Sequence, residues 1–233
     1  MKIQKIFWLC FFILIFGCDP LVLESDIRVL VNGKVLDNDG TPIANAEILV
    51  YANKGGGLPT PSELDKKMLG HNFSDTQGNF SVTSVLARDD EFTVEVKATE
   101  EYSLYVYQTN TLEYVPSDLV FSVPTITLSK LSNITFNITK TSSEENTLYY
   151  NFKYIANYCV EVYDEETLNV NQSLCEVDQQ FIGHLDANDT GETGDFKVPL
   201  GSVVQFTSRI NDEPNHIEIF TVNQEDYVFE FSY

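Results

Sequence analysis

Tryptophan, methionine, histidine and basic residues are all scarce in this chain of 233 residues. It has one Trp, two Met, three His, and 14 Lys plus Arg against 35 Asp plus Glu. The single tryptophan, Trp8, falls in the first ten residues. The rest of the chain therefore lacks the largest ring on which a sugar could stack. The shortage of bases leaves a net charge of −21. Phosphate backbones repel such a chain, which excludes nucleic acid as a partner. His71, His184 and His216 stand far apart, and none opens H-x-x-E or H-E-x-x-H, so no zinc-hydrolase signature is present. There is no G-x-S-x-G. Gly55-Gly56-Gly57 lacks the spacing of a phosphate cradle. No catalytic residue, metal ligand or cofactor is assigned, and the chain is not expected to be an enzyme. No long amphipathic helical pattern appears either.

Residues 1–17 carry Lys2 and Lys5, then an apolar run from Ile6 to Phe16. That run is shorter than the ~20 residues a membrane span needs, and it fits the core of a signal peptide. Ile15-Phe16-Gly17-Cys18 resembles a bacterial lipobox. The resemblance implies cleavage before Cys18 and lipid attachment to its thiol. Several acyl chains anchor stably where one does so only marginally. Residues 18–26 read as a short lipidated tether.

Beyond the tether the signal is period two. Val29, Val31, Gly33 and Val35 share one face of an extended segment, and Asn32 and Lys34 share the other. Asp37-Asn38-Asp39-Gly40 is a turn, because Asp and Asn bond locally to backbone and Gly accepts left-handed dihedrals. Ala44, Ala46, Ile48 and Val50 resume the alternation. A second turn follows at Asp75 to Gly78, with Asn79-Phe80 opening the next strand.

In order, these elements are Gly33-Lys34-Val35, Asp37 to Pro42, Ala46-Glu47-Ile48 and Asp75 to Phe80. The combination resembles the carboxypeptidase regulatory-like domain, a transthyretin-like β-sandwich. That resemblance covers residues 28–98 and implies a structural or interaction module with no catalytic residues to transfer. Asn53 to Gly70, rich in Gly and Pro, reads as a long loop with a possible helical turn at Ser62 to Met68. Tyr102, Tyr105, Tyr107 and Tyr114 cluster, as in ordinary strand packing or a sugar-stacking surface.

Near residue 131 the pattern starts afresh. Alternating runs at Ile134–Ile138, Leu148–Tyr154, Tyr158–Tyr163, Leu174–Ile182, Phe196–Leu200, Val203–Ile210, His216–Val222 and Tyr227–Tyr233 read as short strands. The expected fold is all-β: two tandem β-sandwiches, the first transthyretin-like at 27–130 and the second at 131–233. Cys159 and Cys175 fall in two of the strand-like runs. An oxidising compartment favours their pairing, and closing that loop contributes about 3 kcal/mol. The disulfide is expected to staple the second sandwich. Asp186 to Gly191 imitates half of a calcium loop, but the closing position is Lys197 rather than Glu.

The expected function is that of a non-enzymatic cell-envelope lipoprotein, held to the membrane by its lipid and presenting β-domains to a protein or surface. The alternative is a glycan-binding lipoprotein of a nutrient-uptake system. The expected address is the bacterial envelope, anchored in the outer membrane.

Overall fold

The structure, a computed structural model, describes residues 22–53, 66–89, 91–142 and 145–233. The leader, Cys18, Gly55-Gly56-Gly57 and Ser62 to Asp65 lie outside the described residues. Every regular element described is a strand, and no described helix is long and apolar enough to cross a membrane. The first eight strands are β1 (Val22–Asp37), β2 (Glu47–Asn53), β3 (Lys66–Phe73), β4 (Asn79–Arg88), β5 (Phe92–Lys97), β6 (Leu104–Thr109), β7 (Val120–Ser122) and β8 (Ile126–Leu128). The next four are β9 (Leu131–Thr139), β10 (Leu148–Ile155), β11 (Tyr158–Asp164) and β12 (Thr167–Leu168). The last five are β13 (Asp178–Leu185), β14 (Gly191–Pro199), β15 (Val203–Ile210), β16 (His216–Thr221) and β17 (Asp226–Ser232).

Two hydrophobic cores organise these strands. In the first, β1 pairs antiparallel with β4 and parallel with β7 and β8. The facing sheet runs β12-β11-β6-β5-β2-β3. Alternation explains the core directly: Phe80 and Val82 of β4, Val29, Val31 and Val35 of β1, and Ile48 and Val50 of β2 are all buried. The second core lies between sheets β14-β9-β17 and β13-β10-β15-β16. It is unusually aromatic, with Phe136, Phe152 and Phe206 fully buried.

The two Asp–Gly turns share one chemistry. The Asp37 carboxylate accepts the backbone N–H of Asp39 at 2.9 Å and of Thr41 at 2.8 Å. Asp75 does the same for Gln77 at 2.8 Å and Asn79 at 2.9 Å. Those backbone donors hold the Asp75 carboxyl below its ordinary value. Gly78 has φ +77°, and a Cβ there would stand 2.3 Å from the Val35 carbonyl oxygen, so only glycine closes this turn.

Three expectations need correction. First, the tether is not free along its whole length: Val22 to Glu24 pair with β4, and Glu24 meets Arg88 at 2.8 Å. Second, Lys66 to Gly70 are not loop or helical turn. They belong to β3, which pairs with β2 across a bulge between Val50 and Tyr51. The Lys66 ammonium lies 3.2 Å from Glu95 and 4.7 Å from the centre of the Tyr51 ring. Local Gly and Pro signals gave way to a partner strand.

Third, β11 and β12 do not join the second sandwich. β11 pairs parallel with β6, from Tyr158↔Leu104 to Tyr163↔Thr109. Tyr163 belongs to the first core and Cys159 packs against it. The disulfide therefore serves the first sandwich, contrary to the sequence expectation, and residues 131–233 are not one continuous sandwich. The physical reason is the inner face of β6. Tyr105 and Tyr107 need a neighbour there, and the alternating Cys159, Glu161 and Tyr163 supply one.

The chain thus passes between the two cores three times: from β8 to β9, from β10 to β11, and from β12 to β13. Backbone bonds stitch the junction. Leu131 donates to the Glu101 carbonyl at 2.7 Å, Leu104 to Asn157 at 3.0 Å, and Leu200 to Lys130 at 2.8 Å.

Candidate functional site

The β6–β11 end of the first sandwich concentrates polar chemistry on an inward face. In a parallel pair, residues in register point to the same side. Cys159, Glu161 and Tyr163 therefore stand beside Tyr105, Tyr107 and Thr109. The Glu161 carboxylate accepts the Tyr105 hydroxyl at 2.5 Å and the Tyr163 hydroxyl at 2.8 Å. The Tyr107 and Tyr163 rings stack with centres 4.7 Å apart. Burial, then the neighbouring Glu161 carboxylate, holds Tyr105 and Tyr163 well above the ordinary tyrosine value. Burial pushes Tyr107 up to about 12. At neutral pH the Tyr105 and Tyr163 hydroxyls are proton donors in hydrogen bonds to Glu161, and the Tyr107 hydroxyl keeps its proton, so none is a nucleophile.

Outside this cluster opens a cleft of about 300 Å³. Tyr107, Tyr163 and Phe121 form its floor. Tyr114, Pro116 and Pro124 wall it, and Asp118, Glu165 and Glu166 rim it. The Tyr114 hydroxyl donates to Glu166 at 2.9 Å, which ties one lining ring to one lining carboxylate. That carboxylate, more than burial, raises the Tyr114 pKa. Asp118 accepts the Val120 N–H at 3.1 Å, which fixes its position at the start of β7.

Cys159 and Cys175 are joined, with Cα atoms 4.2 Å apart. Their sulfurs and the Glu161 carboxylate form a compact group within 4.8 Å. With the sulfurs bonded to each other, no thiolate is on offer to a metal. Of the four clustered tyrosines, Tyr105 and Tyr107 are buried, Tyr102 sits half-buried near the junction, and Tyr114 alone reaches the cleft rim. The histidines are dispersed. His71 meets Glu47 at 3.1 Å, His184 stacks on Tyr149 at 4.2 Å, and His216 opens β16. At the calcium-like turn, the Lys140 ammonium donates to the Ala187 carbonyl at 2.5 Å, and Asp189 accepts the Asp186 N–H at 2.7 Å.

Glu161 and Glu166 escaped the sequence reading. For Glu161 the available signal was an acid in an inward strand position, between Cys159 and Tyr163; Glu166, in the turn after β11, carried none.

The raised tyrosines give a pH signature. Below about pH 10 they are protonated in both folded and unfolded chains. Between there and about 12, the unfolded chain loses the Tyr107 proton and the folded one keeps it. Stability is therefore full below about pH 10 and is lost as pH rises through about 12. Urea midpoints should stay flat to about pH 9 and then fall, less steeply in Tyr107→Phe. Equal alkaline slopes for the two proteins would refute the assignment.

No family model matches the chain, and no curated protein matches it. Some solved structures are similar. The Bacillus anthracis TIE protein aligns at a TM-score of 0.30 with 13% identity, over 89% of this chain and 34% of its own. The shaft pilin SpaA of Lactobacillus rhamnosus GG gives 0.30 and 9%, over 88% and 97%. A protein from Bacteroides ovatus described as an adhesin gives 0.31 and 10%, over 90% and 94%. The chain spans about a third of the length of the TIE protein. Likenesses at these TM-scores carry no argument about function.

Proposed function

We propose that the protein is a non-enzymatic lipoprotein of the bacterial envelope, tethered through Cys18, whose sandwiches present a binding surface to another protein. Within this reading the first sandwich is a carboxypeptidase regulatory-like module, supported by the two matching Asp–Gly turns. The observation that carries the proposal is the cleft on that sandwich. Tyr107 and Tyr163 stack in its floor, and the Tyr163 and Tyr114 hydroxyls donate to Glu161 and Glu166 rather than standing poised as nucleophiles. Rigid rings beside fixed acceptors suit recognition. A sugar would need a broad exposed ring face, and Tyr107 is only 4% exposed, so the glycan reading is not carried forward.

The test has two arms. Wild type should fractionate with membranes, and Cys18→Ser should appear in the soluble fraction or as uncut precursor. A lipid-free N-terminus in wild type by intact mass would overturn the tether. A panel of esterase, peptidase and glycosidase substrates should give no turnover. Turnover abolished by Glu161→Gln would overturn the non-enzymatic part.

A further inference from the structure

We infer that the cleft between β6, β11 and β7 receives an arginine side chain from a partner protein, its guanidinium held between the Tyr114 ring and the carboxylates of Asp118, Glu165 and Glu166. The inference rests on the interaction-module reading and names the group that module binds. Three observations on the cleft carry it. The recess has a definite volume, about 300 Å³, the lower end of the range for sites that bury a ligand. Its lining includes three carboxylates and no basic residue. Its lining holds the rings of Tyr107, Tyr114, Phe121 and Tyr163, and the Tyr114–Glu166 bond fixes one ring beside one carboxylate.

Carboxylates alone would be a solvated face. Here they surround a walled space with rings in it, and that combination favours one chemistry. A guanidinium is planar, always charged and weakly hydrated. It stacks on an aromatic face while donating in parallel to carboxylate oxygens. An ammonium is a compact, strongly hydrated charge and gains less from a ring and a fork of acceptors. Anions are repelled from this mouth, and a neutral amide leaves the rim carboxylates uncompensated. The net charge of −21 draws basic surfaces toward the whole molecule, and the cleft supplies the local fit.

The experiment uses the detergent-solubilised full chain and saturation-transfer NMR with small probes. N-acetylarginine amide should bind, and its neutral isostere N-acetylcitrulline amide should not. N-acetyllysine amide bearing a free side-chain amine should bind at least several-fold more weakly than the arginine probe, since it cannot fork or stack as well. Added salt should weaken binding. Glu166→Gln should weaken the arginine probe about tenfold, because it removes one charged acceptor. Tyr114→Phe should weaken it less. The triple change Asp118→Asn, Glu165→Gln and Glu166→Gln should abolish binding with the melting temperature preserved. Equal binding of the citrulline probe, or an unaffected triple variant, overturns the site. Equal binding of the lysine probe overturns the guanidinium assignment. Failure of the arginine probe, with Cys18-dependent tethering intact, would sink this inference and leave the proposed function standing.

Discussion

A chain ended at residue 130 should fail to fold cooperatively, although it contains every strand that the sequence assigns to the first sandwich. The fragment lacks β11 and β12, so β6 becomes an open sheet edge. It also loses Tyr163 from the core and uncovers Tyr105 and Tyr107. Burying an aromatic or large apolar side chain is worth about 1.5–3 kcal/mol. The missing disulfide accounts for about 3 kcal/mol more. A whole domain has only about 5–15 kcal/mol to lose. The expected result is aggregation or a broad, non-cooperative melt, while the full chain melts in one transition. A sharp melt of the fragment at the full-length midpoint would show that β11 and β12 contribute little.

The second large effect is expected at Phe152. Its side chain is 0% exposed, and its ring lies 4.9 Å from Phe206, 5.1 Å from Phe136, and 5.3 Å from both Phe196 and Phe229. Phe152→Ala removes the hub of that aromatic cluster. Four rings anchored on four different strands cannot all move to fill the space. The loss should be about 3–5 kcal/mol, read as a lowered urea midpoint at unchanged slope. Ile217 is the contrast. It points outward from the edge strand β16 at 55% exposure, and Ile217→Ala should change stability by no more than about 0.5 kcal/mol. Similar losses at the two positions would mean that the aromatic core is looser than its ring contacts imply.

How much of this was legible in the sequence follows from the range of the forces involved. The turns at Asp37 and Asp75 could be read because an Asp carboxylate bonds backbone two and four residues on, with nothing distant required. Val203–Ile210 was read to the residue, since its alternation is clean and Gly201-Ser202 and Asn211-Asp212 bound it. β3 was misread because Lys, Gly and Met carry weak strand preference and its pairing with β2 decides the matter. The cysteine pair could be foreseen from compartment and spacing. The sheet it serves could not, because β11 finds β6 across more than 40 residues, among them β9 and β10 of the other core. The cleft was half legible. Tyr107 and Tyr114 drew notice as tyrosines, while Glu161 and Glu166 looked like any other acids in an acidic chain.

The return of β11 to the first sandwich also sets a schedule for assembly. A polypeptide emerges from its N-terminus at about 5–20 residues per second. The 38 residues from Leu131 to Leu168 must follow β8 before the first sheet is complete. β6 itself ends at Thr109 and β11 at Asp164, so at that pace β6 waits about 3–11 seconds with one side unpaired. During that interval its free backbone groups can template a strand from a neighbouring nascent chain. The N-terminal sandwich is therefore finished late, and a holdase or a low local density of emerging chains would raise the yield of correctly paired molecules.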